Sequence, residues 1–412
     1  MTSLLSGCRV IESSMLLNGA STTMMLADLG ADIIKVESPF LGDYLRIEET
    51  MHMHRQTNKN KRSIALDLRK PEGQEIFARL MKTADVFVTN AIADRNRKLG
   101  LAYDQLTALK PDIVYCQNTG FGATGPYAEM PTHGQMMDSL AGAMPMELGE
   151  DGFTHPKAAY VRRTGSLASA GEGTAAGAIY AAFHIAAALA HRAKTGRGAY
   201  IDVSSAEAVI ASAWIAACNQ LNKPERAGFW QNEDNILPIA RYQAYETKDH
   251  FFVLFCPEEK KFWHAFCDLV ERPDLKDEAN GIDLRRELQT IFRTRARDEW
   301  VALALKHNFP LGPIHDGVAA VRADPHIAAR GVFIEGTDET GAPFTYIGQP
   351  ALIAGVARVA PTPPPGLGEH TSVILRELGY GDSDIQRFEA AQVTRAPERD
   401  PDHISNRVYG DP

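Results

Sequence analysis

An excess of positive charge is what this sequence most plainly lacks: 43 Lys and Arg side chains stand against 52 Asp and Glu, a net charge of −9. Nucleic acid, whose phosphates call for a basic surface, is therefore disfavoured as the main partner. Cysteine is also sparse, and Cys8, Cys116, Cys218, Cys256 and Cys267 include no C-x-x-C pair. That argues against a disulfide framework or a zinc knuckle and for reduced thiols in a cytoplasmic compartment. Between Met1 and Cys8 no cationic stretch leads into an apolar run, so no secretory leader is expected. The longest apolar run, Ala175 to Ala190, is mostly alanine and carries His184. At about 16 residues it is shorter than the ~20 of a membrane span. It reads as a buried helix, and no membrane partner is expected.

Several familiar motifs are missing too. The first strand is followed by Glu12-Ser13-Ser14-Met15-Leu16-Leu17-Asn18-Gly19 in place of G-x-G-x-x-G, which disfavours a dinucleotide cofactor. No P-loop and no G-x-S-x-G elbow occurs. His52 and His54 have no third ligand nearby and read as exposed structural histidines, so no metal is expected.

What is present is an ordinary globular composition, 44% hydrophobic and 23% charged, long enough for two or three domains at roughly 150 residues each. Arg9 to Ile11 reads as a strand, Ser21 to Leu29 as a helix and Asp32 to Val36 as the next strand, a βαβ unit. Ser63 to Leu68, Asp85 to Thr89 and Asp112 to Cys116 repeat the strand pattern, and Pro71 opens a helix running to Ala84. This is the α/β doubly wound pattern, whose ligands sit beyond the carboxyl ends of the strands, here Glu12 to Ser21 and Thr89 to Ala91. Between Ala227 and Gly317 tryptophans 230, 263 and 300 gather with several phenylalanines, which predicts a second domain. A last helix is expected from Thr371 to Leu378, and a loosely held tail from Thr394 to Pro412.

Four runs stand out together: Ala31-Asp32-Ile33-Ile34-Lys35-Val36-Glu37, Asn60-Lys61-Arg62-Ser63-Ile64-Ala65-Leu66-Asp67-Leu68, Gly120-Phe121-Gly122-Ala123-Thr124-Gly125-Pro126-Tyr127 and Thr195-Gly196-Arg197-Gly198-Ala199-Tyr200-Ile201-Asp202-Val203. In this order, with Ala323-Asp324-Pro325-His326 and Gly368-Glu369-His370-Thr371 after them, the chain resembles the family III CoA-transferases. That family includes carnitine and formyl-CoA transferases and the α-methylacyl-CoA racemases. The resemblance implies a Rossmann-like large domain built from residues 1–220 and 325–412, a small α+β domain inserted over 227–317, and an interlocked dimer. It implies acyl-CoA and carboxylic acid substrates, with CoA as substrate and no prosthetic group. Leu66, Arg69, Asn90 and Lys98 match the family's CoA contacts, and Asn18 in the crevice segment is counted with them. The two cations suit a 3′-phosphate and a pyrophosphate; their plain alternative is solvated surface charge.

The family's nucleophilic aspartate falls at Thr174, which cannot supply a carboxylate. Glu172, two residues earlier between Gly171 and Gly173, is the candidate replacement, its alternative a loop surface charge. His133 stands where the racemase branch has its histidine, which there works with the loop carboxylate in proton transfer at the α-carbon. A core histidine is the plainer reading of it. The methionines at 136, 137, 144 and 146 fill a core or wall an acyl pocket. Three readings follow: CoA transfer through Glu172, racemisation or isomerisation by His133 with Glu172, and a non-catalytic subunit paired with a homologous chain.

Overall fold

A computed structural model describes residues 3–157, 172–222 and 239–395, with the Glu172 side chain outside the described set. The chain divides into two compact units, one of Met1–Pro156, Ala170–Trp214 and Pro325–Pro412, the other of Lys157–Ser169 and Ile215–Asp324.

In the first unit the chain runs β1 (Arg9–Ser13), α1 (Leu17–Ala27), β2 (Asp32–Glu37), α2 (Met51–Asn58), β3 (Lys61–Ala65), α3 (Pro71–Met81) and β4 (Val86–Thr89). It continues through α4 (Ala93–Lys98), α5 (Tyr103–Leu109), β5 (Val114–Thr119), α6 (Met136–Leu140), β6 (Met146–Leu148), β7 (Thr154–Pro156), α7 (Glu172–Thr195), β8 (Ala199–Ser204) and α8 (Ser205–Ser212). Six strands form one sheet in the order β3-β2-β1-β4-β5-β8, and every pairing is parallel. The strands bury both faces, as such sheets must: Val10, Ile11, Val86, Phe87 and Val88 are all inaccessible. On one face Phe77, Leu80, Phe87 and Tyr115 share a core with Ile374, Leu375, Ile385 and Phe388 from the returning C-terminal segment. On the other, Ala181, Ile185 and Ala188 of α7 pack with Val10, Val88 and Cys116.

Helix α3 shows why these elements form. Pro71 takes its first turn, where a missing amide proton costs nothing, and Ile76, Phe77, Leu80 and Met81 place one apolar stripe on the sheet. Helix α7 departs from the expected buried helix: its small side chains pack inward, but Ile179 and Phe183 are 55% and 66% exposed. Its stretch Gly173–Thr195 is long and apolar enough to cross a membrane by length and composition, yet its inner face is committed to the protein core. His54 is also buried rather than exposed, held by Asn58 of its own helix.

Helix α9 (Trp214–Asn222) leads toward the second unit, which carries β9 (Gln243–Glu246), β10 (Phe252–Phe255), α10 (Lys260–Leu269), α11 (Ile282–Phe292), α12 (Arg297–His307) and β11 (Leu311–Ile314). Its three antiparallel strands, in the order β11-β10-β9, back onto an aromatic core of Tyr245, Phe255, Trp263, Phe266, Phe292 and Trp300. Trp230 lies outside the described residues. The chain then passes α13 (Gly317–Ala323), α14 (Pro325–Arg330), a hairpin of β12 (Phe333–Thr337) and β13 (Pro343–Ile347), α15 (Thr371–Glu377) and α16 (Asp382–Ala390).

The expected tail is corrected at its start. Val393 and Thr394 are buried, Thr394 bridging to Leu66 and Val393 accepting the amide of Asp67 at 2.8 Å. A chain end that satisfies the backbone beyond β3 is part of the sheet's edge, not a loose appendage. Residues from 396 onward lie outside the described set.

Candidate functional site

Strands β1 and β4 are neighbours, and the strand order reverses between them, the switch point beyond whose carboxyl ends doubly wound sheets hold their ligands in a crevice. The chain leaves β1 through Ser14, Met15 and Leu16. Leu16 has φ 62° and ψ −147°, a region that L side chains avoid. Such a conformation costs on the order of 1–3 kcal/mol and persists only where neighbours fix it. Here both flanks are fixed. The Leu16 amide donates to Asp43 Oδ1 at 3.0 Å, and the Asn90 side chain accepts the Met15 amide at 3.1 Å while donating to the Met15 carbonyl at 2.5 Å. A Cβ on Gly19 would stand 2.3 Å from Ser14 Cβ, so only glycine lets the first turn of α1 fold back on this segment.

A second polar group adjoins the start of α1. Asn18 Nδ2 donates to Ser205 Oγ at 3.2 Å, Ser205 Oγ donates to Asn118 Oδ1 at 3.1 Å, and Asn118 Nδ2 donates to Thr22 Oγ1 at 3.2 Å. Three elements from distant parts of the chain are thereby tied at the crevice floor. Gly177 of α7 makes this approach possible, since a Cβ there would lie 2.2 Å from Ser205 Oγ.

Beneath the crevice lies a buried network of three carboxylates and three cations. Glu12 Oε1 lies 2.5 Å from Lys35 Nζ and Oε2 2.8 Å from Lys61 Nζ, while Ser14 and Thr23 hydroxyls donate to the same carboxylate. Lys35 also stands 2.9 Å from Asp43 Oδ2, and Arg46 grips Glu37 through two contacts of 2.8 Å. Burial alone would push the Glu12 carboxyl upward, but the two ammonium groups overcome it and hold it well below the carboxylate range. Lys61 moves the other way for a lysine: burial, with Lys35 close by, outweighs the carboxylates of Glu12 and Asp43 and lowers it to about 8. Lys35, facing both Asp43 and Glu12, is raised instead, its burial outweighed. His54 is driven well below its usual 6.5 by burial and by Arg46, Lys35 and Lys61, so it stays neutral. Breaking any one partner would strand a buried charge, which is why such a network specifies a single arrangement of the strand ends.

The sequence-predicted residues do not all converge. Asn90 and Asn18 sit in the crevice as described. Leu66 is buried, its amide bonded to the Glu37 carbonyl at 2.8 Å. Arg69 projects to solvent, paired with Asp67 at 2.8 Å and set over the Phe40 ring at 5.3 Å. Lys98 is likewise exposed and paired with Asp94 at 2.6 Å. Lys98 is thus in an exposed ion pair, whereas Arg69 is exposed itself but grips both oxygens of a nearly buried Asp67. Thr174 lies in the first turn of α7, half-buried. Glu172 is the first residue of that helix, and its side chain lies outside the described residues. His133 is exposed rather than a core histidine, its amide directed at the Met136 sulfur at 3.4 Å. Of the methionines, Met137 is buried, whereas Met136 and Met146 are exposed.

Two residues went unnoticed in the sequence. Asp138 is inaccessible to solvent and accepts the Gly173 amide at 2.9 Å, placing a carboxylate against the amino end of α7 beside Thr174. Gly173 permits the contact, as a Cβ would fall 2.7 Å from Met137 Cβ. Asp43, which holds Leu16, follows Gly42 in a turn whose glycine has φ 64°. The Gly-Asp pair is a turn signal, but nothing local announces its partner 27 residues earlier. Among the described residues no cluster of three His, Cys, Asp or Glu side chains is gathered to hold a metal ion.

Comparison with known proteins accords with this geometry. The human protein named succinyl-CoA:glutarate CoA-transferase is 30% identical over 409 residues, 94% of this chain and 89% of its own. The succinate–glutarate CoA-transferase of Agrobacterium fabrum is 31% identical, across 91% of this chain and 95% of its own. A CAIB/BAIF family protein from Brucella suis superposes with a TM-score of 0.70 at 30% identity, covering 92% of this chain and all of that one. The profile of CoA-transferase family III matches residues 5–371, and the chain belongs to that family.

Proposed function

We propose that this transferase moves CoA between an acyl-CoA thioester and a free carboxylic acid, with Glu172 as the carboxylate that receives the acyl group. The observation that carries the reading is the β1–β4 switch point, with Asn18 and Asn90 on the segments that leave it, in a family III chain. Leu66, Arg69, Asn90, Lys98 and Asn18 are the proposed CoA contacts. Arg69 and Lys98 meet the phosphates by exchanging Asp67 and Asp94 for a more highly charged anion.

In the proposed reaction the Glu172 carboxylate attacks the thioester carbonyl, the carbon–sulfur bond breaks, and CoA leaves as thiolate from a mixed anhydride. The thiolate then attacks the enzyme's own acyl carbon, expelling the first acid and leaving a glutamyl thioester. An incoming carboxylate reverses both steps and departs as the new thioester, so each proton and electron pair is returned. Thr174 lines the site without serving as nucleophile, and His133 lies on the loop before it. The names of the relatives make succinyl-CoA and glutarate the first pair to assay. No prosthetic group is required. Free thiols at all five cysteines fit a reducing, cytoplasmic setting, and the exposed apolar side chains Ile179, Phe183, Ile210 and Trp214 support assembly with a second copy, the other unit serving as the small inserted domain.

The test is peptide mass spectrometry after mixing the protein with a panel of acyl-CoA thioesters and quenching with borohydride, which reduces an enzyme thioester to an alcohol. The expected result is a mass change confined to the peptide bearing Glu172, abolished in Glu172→Gln. Turnover with no adduct and with deuterium entering the α-carbon from heavy water assigns the racemase reaction to His133 and Glu172 instead. Neither adduct nor turnover, with co-purification of a homologous chain, assigns a non-catalytic subunit.

A further inference from the structure

Leu16 occupies a backbone conformation that glycine adopts freely and leucine does not, and it does so at the switch point of the sheet. Its own side chain gives no reason for this, and its helix start has no side-chain cap. The forces that hold it come from outside. Asp43 Oδ1 accepts the Leu16 amide at 3.0 Å and the Leu45 amide at 3.0 Å, and its other oxygen stands 2.9 Å from Lys35 Nζ. Lys35 in turn is fixed by Glu12 and by the Ser14 carbonyl, one residue before the Met15 peptide that Asn90 clamps. The strained turn is thus the rim of the buried charge network, and Asp43 is where the two join.

We infer that Asp43 is a positioning residue for CoA binding: its buried carboxylate holds Leu16 in its positive-φ conformation and so fixes the Met15–Asn18 turn against Asn90. The assignment rests on the proposed CoA reading of this crevice. A carboxylate is required because one oxygen accepts from two backbone amides while the other sets its negative charge 2.9 Å from the Lys35 ammonium. Asparagine has a single acceptor oxygen. Turned toward Leu16 and Leu45, it sets its amide protons against Lys35; turned toward Lys35, it sets them against the two backbone amides. Either way the restraint on Leu16 fails or its foundation does. Leucine then relaxes to an ordinary conformation and swings the Met15 peptide away from Asn90.

The experiment is a double-mutant cycle between positions 43 and 16, read by melting temperature and by titration with CoA itself, which requires no turnover. Asp43→Asn is expected to weaken CoA at least 10-fold in the wild-type background and less than 3-fold in the Leu16→Gly background, because glycine takes the required conformation unforced. In the transferase assay the loss is expected in KM, with kcat changed less than 3-fold. Leu16→Gly alone relieves the strain and is expected to raise the melting temperature. Equal CoA losses in both backgrounds would reduce Asp43 to a structural residue and overturn the inference. So would an unchanged or lowered melting temperature of Leu16→Gly, which holds even if Asp43→Asn fails to fold. If the wild-type protein binds no CoA, the CoA reading itself falls, and the positioning of Leu16 is then decided by whether the two substitutions couple in melting temperature.

Discussion

Asp138 accepts the backbone amide of Gly173 at 2.9 Å while wholly removed from solvent. One carboxylate therefore closes the amino end of the 24-residue helix α7, one residue before Thr174. The dipole of a long helix favours negative charge there, and the buried amide has a partner it would otherwise lack. Asp138→Ala is expected to cost about 1–2 kcal/mol of stability, the usual loss for an N-terminal cap, and to reduce turnover by displacing Glu172 and Thr174. Asp138→Asn keeps an acceptor oxygen and should lose less than half as much. Urea unfolding beside steady-state kinetics checks both, and an alanine variant as stable and active as wild type would refute it.

Arg69 offers a second prediction. Its guanidinium is raised above its ordinary value by hydrogen bonds and charge from Asp67 and remains largely exposed, so it contributes little to folding. Arg69→Ala should lower the melting temperature modestly, through the Asp67 carboxylate it leaves without its guanidinium. CoA affinity should fall roughly 10-fold, about the value of one charge-assisted contact, and the dependence of binding on salt should weaken. A CoA dissociation constant that does not move would return Arg69 to the solvated surface.

Periodicity and turn chemistry were enough to read the sheet. Strands β1, β2 and β4 and helix α3 fall where alternation, a βαβ spacing and an initial proline put them, because each buries a local pattern. Edges were less readable. Helix α1 starts at Leu17, four residues ahead of the expected Ser21, since its entry is set by Asp43 and Asn90 and not by any capping residue. The return of Val393 and Thr394 to the sheet edge is a contact across more than 300 residues, for which no local pattern exists. The site divides the same way. Asn18 and Asn90 lie on the segments after β1 and β4 that the strand pattern pointed to, but Asp138 and Asp43 act through backbone amides of other segments, and an isolated aspartate carries no mark of such a partner.

Gly177 tests the meeting of α7 with α8. A Cβ would lie 2.2 Å from Ser205 Oγ and 3.0 Å from Ser205 Cβ, so hydroxyl rotation alone cannot make room. Gly177→Ala is expected to destabilise by about 1–3 kcal/mol through overpacking, despite alanine's better helix propensity. Ser205→Gly in the same chain should recover most of that loss, a coupling that chemical denaturation of the four proteins measures.

The buried network gives the protein a defined response to acid. Glu12 and Glu37 both have carboxyls held below their ordinary 4.5, Glu12 by Lys35 and Lys61 against its burial, Glu37 by Arg46 against its own. In the unfolded chain they take up protons near 4.5, while in the folded protein they resist. Their stabilisation is therefore complete above that pH and is lost as pH falls toward the folded values. Lys61 acts in the same sense in a higher window. With a folded value of about 8 against 10.5 ordinarily, the unfolded chain binds the extra proton between those limits, so this lysine adds stability as pH rises through that window. Urea midpoints should thus fall steeply below pH 4.5 in wild type. Substituting Glu12→Gln should lower stability at pH 7 by about 3–5 kcal/mol, by stranding buried ammonium groups, and should flatten the acid limb. A parallel acid limb in that variant would show that the network does not carry the protein's acid sensitivity.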